Sequence, residues 1–480
     1  MNKQALFAWS AGLASVLLLV SAFVNKDDGK PKLPKERVRE QVSADVDHLL
    51  QLAEALVPAW AATGQNPRTL AGFRHQFTQV RLAYKRLEYL AEYYEPELVK
   101  LNINGAPLPK HNPGTEAART VEEPLGLQIL DELIFGEEAL AQRAQIQTLL
   151  TQLKLDLRWF NTLKQRAYSD RELLEACRLS LLRTFTLGLT GFDCPGSVNS
   201  LAEARVGLDA LSQTTELFLP YTSSSFAQKC EEIKQTFAEA KAYLQKHQNF
   251  EKLDRLEFLV QYTNPLYASL LDLQNDLGIE QANLRQAQSR PWNSTSRNLF
   301  DEGFLNPYYY TALAQKKDRE QAAELGKLLF FDPVISDKGE RSCASCHDPR
   351  KAFTDGQTKS LATDQKGTVE RNAPTCIDAV FADRYFYDLR AEVLEEQVEH
   401  VVYSQQEFAT SYPAIVQKLS QSQEYVSLFQ GAFPEFGPDP INQGSIASAL
   451  AAYVATLTSF QSPFDRHVRG ESPQLPPRPS

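Results

Sequence analysis

Methionine is almost missing from this 480-residue chain; its one Met is Met1. Histidine and cysteine are sparse, at 7 and 6. No stretch forms a basic block, and 50 Lys+Arg against 60 Asp+Glu leave a net charge of −10. Sequence-independent nucleic-acid binding, which needs Lys and Arg to displace counterions, is therefore excluded. Only one long apolar run exists, Ala5 to Val24, so a multi-span membrane protein is excluded as well. Six cysteines in this length rule out a disulfide-stapled miniprotein, and 22 Gly rule out collagen. What is there, 43% hydrophobic and 23% charged, is a globular composition with the length of two or three domains.

The run Ala5 to Val24 lies between Lys3 and Lys26 and ends near the small pair Ser21-Ala22. That is the pattern of a secretory signal, and about 20 uncharged residues would equally serve as an uncleaved N-terminal anchor. Both readings put the rest of the chain outside the cytoplasm, in the periplasm or cell envelope. No Cys follows the run, so lipidation is not indicated.

Helix-period patterns dominate residues 30–285. Phe73, Phe77, Val80, Tyr84, Leu87, Ala91 and Tyr94 recur at steps of three and four, as do Val38, Val42, Val46, Leu49 and Ala53. Breakers from Asn104 to Gly114 mark a loop, and Pro124 is placed to open a helix over Leu125 to Phe135. A further helix is expected over Leu253 to Leu277. This half reads as an all-α helical bundle. Residues 286–320 read as a linker able to pack on its neighbours, and 321–470 as a second unit that is loop-rich but mostly helical. Asn442 is a candidate N-cap for its last long helix. Residues 471–480, rich in Pro, read as a disordered tail.

The informative motif is Cys343-Ala-Ser-Cys346-His347. C-x-x-C-H is the c-type haem attachment pattern, in which two thiols anchor the porphyrin and the His ligates iron. The competing reading is a disulfide or a redox C-x-x-C beside a coincidental His. The pattern occurs once. With no Met beyond Met1, a His/Met iron site is excluded, which leaves His400, His467 or a Tyr as sixth-ligand candidates. No His lies between His347 and His400, so the reading is a haem whose sixth position is open or weakly occupied. Such a haem suits chemistry on a small ligand.

Leu325-Gly-Lys-Leu-Leu-Phe-Phe-Asp-Pro333, Cys343 to Pro349, Ala352-Phe-Thr-Asp-Gly356, Arg371-Asn-Ala-Pro-Thr375, Tyr385 to Ala391 and Leu394-Glu-Glu-Gln397 follow one another in this order. Together they resemble the peroxidatic haem domain of the bacterial di-haem cytochrome c peroxidase family, with a class I cytochrome c-like fold. The resemblance implies reduction of hydrogen peroxide with electrons from a small cytochrome-type donor protein. Cys343 and Cys346 would be the covalent anchors and His347 the proximal iron ligand. Glu407 would be the distal acid/base, Gln397 a distal peroxide-orienting amide, and Asn372 a calcium ligand. Tyr387 stands where the family has an electron-relaying Trp, and Leu389 stands at the position of a neighbouring Gly. The family continues into a second haem domain, whereas this sequence passes into the Pro-rich stretch from Ser472. A truncated or frameshifted gene would account for that; a homodimer and a partner haem chain are the partner readings, and a haem-binding module without turnover is the alternative function.

In the first half, Gly126-Leu-Gln-Ile-Leu-Asp131 resembles the G-x-H-x-x-E helix of imelysin-like proteins, which are linked to iron uptake. Gln128 replaces the His and Asp131 the Glu, so a metal site built on imidazole is weakened or lost. An iron- or haem-binding adaptor role for this half is the third functional reading. Two of Cys177, Cys194 and Cys230 are candidates for a disulfide.

Overall fold

The computed structural model describes residues 34–111, 121–281, 290–313, 319–363, 366–382, 384–472 and 475. The apolar run 5–24 and residues 473, 474 and 476–480 of the tail lie outside them. No described helix is long and apolar enough to cross a membrane. Among the described residues the only sheet pairs Lys110–His111 with Val121–Glu122, so the protein is all-α, as its patterning implies.

Two cores organise the helices. The first is built on α1 (Pro34–Thr63) and α2 (Pro67–Tyr94). Asn66 separates them: its side chain caps α2 by accepting from Arg68 N, and Pro67 at the first turn needs no hydrogen-bond acceptor. Both predicted stripes are buried, except that Tyr94 is half-buried. Then follow α3 (Leu127–Phe135), α4 (Arg143–Leu157), α5 (Asp170–Arg183), α6 (Ser200–Glu216), α7 (Ala227–Lys246) and α8 (Asn264–Asp276).

The helix expected from Leu125 begins only at Leu127 because Gly126 sits at φ 92, where a Cβ would lie 2.4 Å from the Ile103 carbonyl. The helix expected over Leu253 to Leu277 is interrupted by a wide turn at Leu259–Thr263. Pro265, at the start of α8, has no N–H to continue the regular ladder.

The stretch expected to be a linker joins the first core. Leu299 and Phe304 are buried in it, and Arg178 of α5 donates to the carbonyls of Ser294 and Ser296. The first unit therefore reaches past residue 285 to about Phe304. Its cysteines are not paired: Cys177, Cys194 and Cys230 are buried free thiols.

The second core forms around α9 (Arg319–Phe331), α10 (Leu394–Tyr403), α11 (Tyr412–Leu419), α12 (Gln423–Ala432) and α13 (Gln443–Thr456). Asn442 caps α13 as expected, in a reciprocal pair with Ser445. The α9–α13 crossing is so close that a Cβ on Gly326 would fall 1.8 Å from the Ala449 carbonyl. The last helix, α14 (Pro463–Val468), returns to the first unit. Val468 joins the first core, Phe464 packs on Phe300 at 5.6 Å, and Arg469 donates to the Phe300 carbonyl at 3.1 Å.

Candidate haem-attachment and active site

Cys343 to Ser345 form a single 3₁₀ turn, held at its start by a reciprocal Ser342–Ser345 pair. Backbone bonds from Cys346 N (3.2 Å) and His347 N (2.9 Å) to the Cys343 carbonyl wind the two thiols and the imidazole into one short coil. Enclosure, with the Cys376 thiol next to it, pushes the Cys343 thiol up to about 12. Both attachment thiols are free, as covalent addition to a porphyrin requires.

The chain then doubles back. Asp348 caps a turn at Pro349–Lys351, and Ala352 and Phe353 follow at φ 53 and φ 57, in the left-handed region that side-chain-bearing residues rarely enter. The Thr375 hydroxyl clamps this loop by donating to the Ala352 carbonyl at 2.6 Å. The result is that the Phe353 carbonyl lies 3.0 Å from His347 Nδ1. A carbonyl can only accept, so Nδ1 carries the proton and Nε2 keeps its lone pair for iron. Ligating histidines are held in this way by an outer partner. The residues therefore fit haem c, with Cys343, Cys346 and His347 holding it.

Glu407 lies in the turn after α10, half-buried. Burial raises its carboxyl above the ordinary range, and a Ser404 hydrogen bond with the charges of Arg341, Arg390 and His347 partly offsets this. The fold thus brings Glu407 into the same electrostatic environment as the attachment motif, from 60 residues further along the sequence. Arg341 also points its guanidinium at Cys346 Sγ, at 3.3 Å.

Residues 320–473 match the family model of di-haem cytochrome c peroxidase. The C-terminal unit is similar to that family over this stretch. Cytochrome c551 peroxidase of Pseudomonas aeruginosa is 37% identical over 170 residues, which cover 35% of this chain and 48% of that protein. Methylamine utilization protein MauG of Methylophilus methylotrophus is 36% identical over 151 residues, covering 32% and 44%. The solved diheme peroxidase BthA from Burkholderia thailandensis is 26% identical over 32% of this chain and 43% of that one, with a TM-score of 0.29. The chain thus spans about half the length of the curated relatives it matches.

The other candidates of this peroxidase-like unit are spread over its surface and rim. Gln397 is half-buried on α10. Tyr387 is 89% exposed, with the Arg371 guanidinium 5.4 Å from its ring centre. Leu389 sits at φ 58, so its turn has the geometry for which a Gly is suited. Asn372 is exposed, and among the described residues no three His, Cys, Asp or Glu side chains cluster as a metal site. His400 meets the Phe386 ring edge-on at 5.3 Å, while His467 on α14 has Nδ1 3.0 Å from the Ser472 carbonyl.

In the helical unit, Gln128 and Asp131 are absorbed into a buried polar network. Asp131 accepts the Gly196 and Ser197 amides, both at 2.8 Å, and Gln128 donates to the Asn104 carbonyl at 2.9 Å. Arg81 grips Glu203 in a two-point pair at 2.5 and 2.9 Å, and Lys85 bridges Asp193 and Glu88 at 2.7 Å each. Removal from water lowers the proton affinity of Lys85, but the Asp193, Glu88 and Glu203 carboxylates outweigh that and raise it. The network braces α2, α3 and α6.

Three contributors escaped the reading of side chains: the Phe353 carbonyl, Thr375 and Arg341. Phe353 and Thr375 lie inside motifs the sequence shows, but a backbone acceptor has no residue-type signature.

Proposed function

We propose that the C-terminal unit reduces hydrogen peroxide to water, H₂O₂ + 2 H⁺ + 2 e⁻ → 2 H₂O, at one covalently held haem c. Electrons would come from a small cytochrome-type donor protein or a partner haem chain. The observation that carries this reading is an attachment motif whose His347 is already oriented, with the half-buried Glu407 carboxyl within electrostatic range of that imidazole. The bound haem supplies the redox-active iron. Glu407 moves a proton from one peroxide oxygen to the other; its raised proton affinity brings it toward the range where a carboxyl both accepts and donates. Gln397 orients peroxide by hydrogen bonding. Tyr387, standing out from the surface, relays electrons from the docked donor. Asn372 serves a calcium ion at the same edge. The apolar run before Lys26 exports the chain to the periplasm or cell envelope, either cleaved or kept as an anchor, which is where c-type haem attachment takes place.

The test is to mature the protein in a host competent for haem attachment, count covalent haem as the pyridine haemochrome, and follow peroxide consumption with a reduced cytochrome. One haem per chain and two electrons taken per peroxide are expected. A stably attached haem with no peroxide consumption, even in the donor-free ferric protein, would replace this reading with that of a haem-binding module.

A further inference from the structure

The helical unit carries a cleft that the haem chemistry does not use. It opens between α1, α2, α6 and α7 and has a volume of about 260 Å³. Its polar wall is made by His48, Gln79, Arg86, Arg205, Asp209 and Lys241, over a floor that includes Leu82 and Ala83.

The wall is rich in donors, and its one carboxylate is already engaged. Asp209 receives Arg86 at 3.3 Å, Gln213 at 2.8 Å and Lys241 at 3.0 Å. The nearby Asp45 receives Arg86 Nε at 2.8 Å. Arg86 is fixed by these two carboxylates and by Gln213 at 2.8 Å, which uses three of the five N–H donors of a guanidinium. The other two remain, as do two of the three on the Lys241 ammonium. Arg205 and Gln79 have no side-chain partner among the described residues. Three cations, Arg86, Arg205 and Lys241, thus stand against two carboxylates, Asp45 and Asp209.

A network serving only to tie helices together would have its charges matched and its amides paired. Here a cation is left over, and the residues that carry the spare N–H groups line one concave space whose base includes apolar carbons. We propose that this cleft binds a small soluble polyanion bearing carboxylate or phosphate groups. Arg86, held rigid by its carboxylate partners, provides the fixed contact, and Arg205 closes on the ligand from the exposed side. The cleft is smaller than the pockets typical of drug-sized ligands, which fits a compact anion and not a porphyrin.

The probes are citrate and inorganic phosphate, titrated calorimetrically into the full haem-loaded chain at physiological salt. Saturable binding of one citrate per chain is expected. Arg205→Ala should weaken it by ~3–5-fold, the size of a partly exposed ion pair, and Arg205→Lys should restore most of it. Gln79→Ala provides a second variant that leaves every ion pair in place. The haem absorption spectrum should be the same in all of them, which separates this site from the peroxidase reading. No saturable binding of either anion overturns the proposal, and so does binding that Arg205→Ala and Gln79→Ala leave unchanged. The same phosphate chemistry exists on a lipid headgroup. Binding to phosphatidylglycerol vesicles that is lost in Arg205→Ala, with no binding of citrate or phosphate, would assign the cleft to a membrane surface and overturn the soluble ligand.

Discussion

The Phe353 carbonyl oxygen and Nδ1 of His347 lie 3.0 Å apart, and this contact decides which imidazole nitrogen can meet iron. It exists because two consecutive non-glycine residues, Ala352 and Phe353, take left-handed conformations. Such strain costs roughly 1–2 kcal/mol per residue and persists only where the surroundings enforce it.

Ala352 is the place to test that loop. Ala352→Gly should keep covalent haem and its spectrum, since Gly reaches φ 53 without penalty. Ala352→Pro cannot reach it, so the carbonyl should lose its aim at His347. The expected result is a lower haem yield and a shifted ferric spectrum for the Pro variant alone, measured on equal amounts of folded protein.

Glu407→Gln should slow the reaction of ferric protein with peroxide by about 10²–10⁴-fold, the usual contribution of a positioned acid/base. Haem content and His347 ligation should be unchanged. Stopped-flow mixing with peroxide, without any electron donor, measures this step by itself. An unaltered rate would remove Glu407 from the chemistry.

Tyr387→Phe should do the reverse. Its ring is at the surface, so the donor-free reaction with peroxide should proceed at the parent rate. Turnover driven by a reduced cytochrome should fall. Equal loss in both assays would mean that Tyr387 supports the fold and relays nothing.

Gly326→Ala places a methyl group where the Ala449 carbonyl lies, 1.8 Å from the new Cβ. Helices α9 and α13 must separate, and a loss of about 3 kcal/mol is expected, at the upper end of overpacking penalties. Thermal unfolding followed both at the haem band and by helical circular dichroism should show the haem unit melting earlier.

Glu92 predicts a pH dependence in the helical unit. Burial raises its carboxyl to about 7, against an attraction to Arg183 and with help from Glu88. Between its ordinary value of 4.5 and about 7 the folded state holds a proton that the unfolded state has released. This group's contribution to stability therefore falls as pH rises through that window. Glu92→Gln removes the dependence, so the variant should gain on the parent between pH 5 and pH 8 in denaturant melts. A constant difference across that range would contradict the assignment.

Much of the architecture is legible along the chain because it is written in local periodicity. The stripe from Phe73 to Ala91 and the cap at Asn442 depend on neighbours within one or two turns, and both are found as read. The late start of α3 is not legible, because it depends on Gly126 meeting the Ile103 carbonyl across a loop. The boundary after residue 285 was hidden for a similar reason: Leu299 and Phe304 lie in a polar, Pro-marked stretch and reveal their role only when docked on the first core.

The same division holds at the site. Cys343, Cys346 and His347 stand out because covalent haem attachment and iron ligation need those residue types within one turn of backbone, so the sequence alone supplies this candidate anchor. Only the tertiary structure places the Phe353 carbonyl against His347, brings Glu407 into electrostatic range of the motif from beyond α10, and spends Gln128 and Asp131 on a buried brace. These roles rest on backbone groups and on burial. A backbone carbonyl is identical in every residue, and burial is set by segments far apart in the chain, so neither is visible until the helices have packed.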